Sequence, residues 1–160
     1  MFDRLRVLVL AAVLAVLPAS LALAGDVILT VDGKIAGGKP VDLTRADLEA
    51  LGSATIVTAT PWRDKPVSFE GVPFKALLEK LGATGDTLYV VALNHYRSEL
   101  PVADIETYDL ILALKQDGAY MPVSDKGPLF IVYPFDSHPE LKNEVYYARS
   151  AWQVRSITVE

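Results

Sequence analysis

The side chains able to do chemistry in this chain are few, and their spacing excludes more than it offers. There is no cysteine among the 160 residues, which removes disulfides, thiolate metal ligands and cysteine nucleophiles together. The two histidines, His95 and His138, stand far from any spacing such as H-x-x-x-H, so a histidine metal site is not expected. Ser98, Ser124, Ser137 and Ser150 lack the G-x-S-x-G setting of a hydrolase nucleophile. Gly37-Gly38-Lys39 runs into Pro40 rather than a helix, and reads as a hairpin tip instead of a phosphate loop.

What remains is recognition chemistry. Polar and aromatic side chains gather where apolar runs end: Trp62 with Arg63; Asn94, His95, Tyr96 and Arg97; and the segment 135–138. A fourth cluster, 146–153, holds Arg149, Ser150 and Trp152. Strand-end loops are where a rigid scaffold presents a site. Indole and phenol planes beside Arg and Asn suit a flat, hydrogen-bonding heterocycle. Each residue also has a plainer reading. The tryptophans could be core or lid, Arg149 a surface ion-pair partner, and Asp125 and Lys126 solvated turn charges.

These clusters need elements to position them. Residues 27–31 read as a strand ending in the turn pair Asp32-Gly33, and Thr44 to Asp47 resembles a capping box opening a two-turn helix closed at Gly52. The β-branched stretch 54–60 reads as a strand stopped by Pro61, followed by a loop 61–66 and a short strand 67–69. Phe74, Leu77, Leu78 and Leu81 form the apolar stripe of a second helix, with Pro73 at its first position and Gly82 beyond its end. The runs 88–93 and 129–133 read as strands buried on both faces. Residues 110–114 and 119–123 form a hairpin through Asp117-Gly118, and 151–159 is a last strand. Two short helices among eight or nine strands predict an α+β domain of mainly mixed, barrel-like sheet.

Composition bounds the setting. Arg4 and Arg6 precede an apolar run, then Pro18 and the small residues Ala22-Leu23-Ala24, the pattern of a cleaved secretory signal over 1–24. The run is short for a membrane span of roughly 20 residues, so no membrane insertion is expected after cleavage, and 25–160 forms one periplasmic domain. A net charge of −5 argues against nucleic acid as a partner.

The order of the segments 69–78, 88–91, 117–118, 127–134 and 152–157 resembles the molybdopterin-binding domain of the sulfite oxidase superfamily, especially its short periplasmic members. In that family a cysteine binds molybdenum, and its place here falls near Ala59 or Thr60, neither of which supplies a thiolate. The resemblance puts Arg149-Ser150 where a basic residue and a serine hold the phosphate side of the cofactor. It extends to cysteine-free relatives that bind reduced pterins and act as sensory partners of membrane-bound cyclic-di-GMP enzymes. It therefore implies a pterin or molybdopterin-like ligand, no metal, and a non-catalytic receptor whose partner is the periplasmic domain of a membrane sensor. The alternatives are a molybdopterin-dependent oxidoreductase with a non-cysteine ligand, and a scaffold that binds only protein.

Overall fold

A computed structural model describes residues 25–160; the expected signal segment 1–24 lies outside the described residues. Among the described residues no helix is long and apolar enough to cross a membrane. The described residues form ten strands and four α-helices in the order β1 (Val27–Gly33), β2 (Val41–Thr44), α1 (Arg45–Glu49), β3 (Ala54–Thr60), β4 (Arg63–Pro73), α2 (Phe74–Lys80) and β5 (Thr87–Ala92). Next come β6 (Arg97–Pro101), α3 (Val102–Tyr108), β7 (Ile111–Gln116), β8 (Ala119–Tyr120), β9 (Phe130–Val132), α4 (Glu144–Arg149) and β10 (Val154–Val159). One five-stranded sheet has the order β2-β1-β10-β5-β6, in which β1 and β10 are parallel; the other has the order β3-β4-β7-β8, with β9 also paired to β7. This is the α+β, mixed-sheet architecture expected.

Alternation along the strands divides the apolar residues into two cores. Leu112 and Leu114 of β7 join Leu29, Val90, Ile157 and the α2 residues Phe74, Leu77 and Leu78 in the main core. Ile111 and Ala113 point the other way, into a smaller cluster with Val67, Phe69, Phe130 and Val132, against which Trp62 and Trp152 pack. The continuous apolar runs of β7 and β9 are the signature of strands covered on both faces. The same expectation for 88–93 is corrected. Tyr89 is 39 % and Leu93 41 % exposed, because among the described residues no layer covers the outer face of β5.

Local signals mostly hold, with shifts of a residue or two. Thr44 Oγ1 accepts from the Asp47 amide at 3.2 Å while Asp47 Oδ2 accepts from the Thr44 amide at 2.8 Å, the reciprocal capping box. Asp117 and Gly118, with φ of 49° and 82°, make the left-handed turn that joins β7 to β8. Pro73 caps α2 instead of occupying its first position. Asp32-Gly33 ends β1 rather than turning it, and Gly33 pairs with Val159. Most of the loop expected over 61–66 is strand: β4 begins at Arg63, and Pro66 is accommodated where the register shifts between the Thr58–Val67 and Thr60–Arg63 pairs. β6 and the helices α3 and α4 were not foreseen. Both helices bury little: α3 buries Ile105 and Asp104 with Val102 and Tyr108 partly buried, and α4 has no fully buried residue, only Tyr146 and Tyr147 partly buried against the main core.

Candidate functional site

The site forms where the β3–β4 hairpin, the β5–β6 turn, α4 and the segment before β10 converge. Pairing of Thr60 with Arg63 leaves Pro61 and Trp62 as the hairpin tip. Trp62 stands edge-to-face on Trp152, with ring centroids 4.9 Å apart and planes at 78°, and reaches Phe130 at 6.0 Å and Tyr147 at 6.3 Å. Trp152 is fixed by a single bridge to Phe130. Aromatic pairs in this geometry contribute about 0.5–1.5 kcal/mol beyond their burial. The two indoles wall one side of a cleft of about 430 Å³, faced by Asn94 and Tyr96 and by Glu144, Tyr147 and Ala148 of α4, with Ser150 and Ala151 also lining it. That volume lies in the range of small-molecule sites.

Hydrogen bonds hold the polar wall in place. Asn94 Oδ1 accepts from the Tyr96 amide at 3.0 Å. The Tyr96 hydroxyl and Ser98 Oγ both donate to the Ala148 carbonyl, at 2.8 and 2.9 Å, tying the end of α4 to the β5–β6 turn. Ser150 Oγ donates back to the Tyr146 carbonyl at 2.9 Å, so its proton is engaged within the helix.

Five of the nine residues singled out from the sequence meet at this cleft: Trp62, Asn94, Tyr96, Ser150 and Trp152. The other four do not line it. His95 is exposed in a left-handed conformation (φ 67°), and Arg97 is exposed at the start of β6. Arg63 directs Nη2 to both carboxylate oxygens of Asp125 at 2.6 Å, so Asp125 is half exposed in its turn but paired. Arg149 turns inward. Its Nη1 lies 2.9 Å from Asp104 Oδ2, the oxygen that also accepts from the buried Tyr133 hydroxyl at 2.6 Å. Burial, and next the neighbouring Asp104 carboxylate, push the Tyr133 pKa upward, so this phenol stays protonated as the donor.

Sequence reasoning missed Glu144 as a lining group, because nothing before the 146–153 cluster announces a helix, whereas Tyr147 and Ala148 fall inside that cluster. It also took Lys126 for a solvated charge. Its ammonium lies 4.1 Å from the ring centroid of Trp152 and 5.3 Å from that of Trp62. Burial and, secondarily, the charge of Arg63 lower its pKa. No sequence signal announced it, since Lys126 stands 64 residues after Trp62 and 26 before Trp152.

The hairpin also contains the place that the resemblance gives to a metal-binding cysteine. The Ala59 amide donates to Asp136 Oδ2 at 2.7 Å. Thr60 is 7 % exposed, and its hydroxyl has no partner. A single neutral oxygen does not replace a thiolate on molybdenum, and among the described residues no group of three or more His, Cys, Asp or Glu side chains could hold a metal ion. The donor set therefore does not fit the metal, whereas the aromatic cleft beside it has the size and polarity for an organic ring.

No family model and no curated protein matches the chain. Among solved structures it is similar to the sulfane dehydrogenase SoxCD from Paracoccus pantotrophus, with 18 % sequence identity and a TM-score of 0.62 over 82 % of this chain. The match spans 37 % of the length of that chain. The likeness shows the fold alone, one shared with that sulfane dehydrogenase.

Proposed function

We propose that this protein binds a flat heterocycle of the pterin class and performs no redox chemistry on it. The observation that carries this reading is the cleft itself: two orthogonal indoles and two tyrosines around about 430 Å³, beside a hairpin with no thiolate to anchor a metal. A pterin presents two π faces and a polar edge, which such walls match with ring contacts on one side and Asn94 and Glu144 on the other. Titration of the purified protein with reduced and oxidised pterins, followed by tryptophan fluorescence, tests it. Saturable quenching is expected; no binding up to millimolar ligand overturns it.

The setting we propose is the periplasm, with the protein as a sensory partner of a membrane-bound cyclic-di-GMP enzyme. This rests on the leader pattern and the cysteine-free resemblance. Ligand-dependent co-purification with such an enzyme, lost in Trp152→Ala, is the expected result. The second reading, a molybdopterin-dependent oxidoreductase, is favoured by one observation, the buried and unpartnered Thr60 hydroxyl. Stoichiometric molybdenum in protein taken from its native host would select it over the first.

A further inference from the structure

We propose that Glu144 sets the charge selectivity of the cleft, which accepts a heterocycle with a hydrogen-bond-donor edge and discriminates against one carrying a phosphate or carboxylate tail. The inference rests on the pterin reading and narrows its ligand class. Among the described residues that line the cleft, Glu144 is the one charged side chain; no arginine, lysine or histidine accompanies it.

Three neighbouring cations that could hold an anionic tail are already paired with carboxylates, and Lys126 and the exposed Arg97 do not line the cleft. Arg63 grips Asp125 at 2.6 Å, Arg149 lies 2.9 Å from Asp104, and Lys142 lies 2.8 Å from Asp136. Lys126 is packed on the indoles, 4.1 Å from the Trp152 centroid. Glu144 itself enters no ion pair among the described residues, which leaves its carboxylate available.

An ionised carboxylate is acceptor-only and takes two parallel N–H groups at once. The 2-amino-4-oxopyrimidine ring of a pterin presents two such donors on one edge. A ligand with an anionic tail brings a like charge into the same half-enclosed space, at a cost of about tenfold in affinity for charges several ångström apart under partial screening. The arrangement departs from the sequence-based expectation that Arg149 and Ser150 hold a phosphate. The arginine is paired with Asp104, and the serine proton is engaged.

The test is equilibrium titration of wild-type protein and Glu144→Gln with 6-hydroxymethylpterin and with its phosphate ester. Wild type is expected to bind the uncharged ligand about tenfold more tightly. Glu144→Gln should weaken that ligand about tenfold, by removing a charged acceptor, and bring the two affinities within about twofold, with an unchanged urea midpoint. Equal or tighter binding of the ester by wild type, or an undiminished gap in Glu144→Gln, overturns the inference and leaves the pterin reading intact. Failure of both ligands to bind overturns that reading and this inference with it.

Discussion

Helices α2 and α4 are nearly equal in length and opposite in how they are held. α2 buries Phe74, Leu77 and Leu78 in the main core. α4 has no fully buried residue: Tyr146 and Tyr147 rest partly buried against the same core, and its C-terminal end is tied by polar contacts, from Arg149 to Asp104 and from Tyr96 and Ser98 to the Ala148 carbonyl. Apolar burial of the first kind supplies most of a domain's stability. Contacts of the second kind contribute little net stability but fix orientation. The cleft is built against α4, so position and stability are carried by different regions.

The sharpest way to break that division is to truncate one member of each. Phe74→Ala removes a fully buried ring from the main core and is expected to cost about 3–5 kcal/mol in urea unfolding, while molecules that remain folded bind ligand as wild type does. Trp152→Ala is the converse. It removes a partly exposed ring that walls the cleft, and ligand affinity should fall by about 1–3 kcal/mol, the range for stacking of a base on an aromatic side chain. Loss of affinity in Phe74→Ala, with wild-type affinity in Trp152→Ala, would erase the distinction.

The same contrast explains what could be read in advance. α2 was legible because Phe74, Leu77, Leu78 and Leu81 repeat at helical spacing, and β9 because 129–133 is continuously apolar. Trp62, Asn94 and Tyr96 were found because they follow apolar strands, and Ser150 and Trp152 because they lie in the polar and aromatic cluster 146–153. Glu144 was not, because the place of α4 depends on Asp104, 45 residues before Arg149 in the chain. Arg63 and Arg149 look like ligand contacts in sequence. Only three-dimensional proximity to Asp125 and Asp104 shows that their charges are already paired.

A medium effect is expected from Asp104→Asn, which keeps the shape but leaves the inward-facing Arg149 without its counter-charge. About 1–2 kcal/mol is anticipated, below the figure for a fully buried pair, because the Arg149 side chain is a quarter exposed. Hydrogen exchange should show the loss concentrated in α4. Tyr96→Phe should act more weakly, by about 1 kcal/mol or less, since Ser98 continues to donate to Ala148. If exchange in α4 stays unchanged in both variants, the polar contacts do not hold the helix.

The smallest expected effect is acid sensitivity at the joint between β3 and the loop after β9. Lys142 at 2.8 Å and, next, the Ala59 amide at 2.7 Å hold the Asp136 carboxyl below its ordinary value of 3.8. A pKa depressed by folding contributes stability that is fully present above the unfolded value and is lost as pH falls through the folded one. The contribution should therefore persist at neutral pH and fade below about pH 4. Asp136→Asn should flatten the stability profile in that acid window, while Glu140→Gln, on the exposed turn beside His138, should leave the Ala59 tether untouched. Because Ala59 leads through Thr60 to the Trp62 tip, acid release of Asp136 should disturb the tryptophan environment before global unfolding. Near-ultraviolet circular dichroism that changes only together with the far-ultraviolet signal would place the tether outside the site's support.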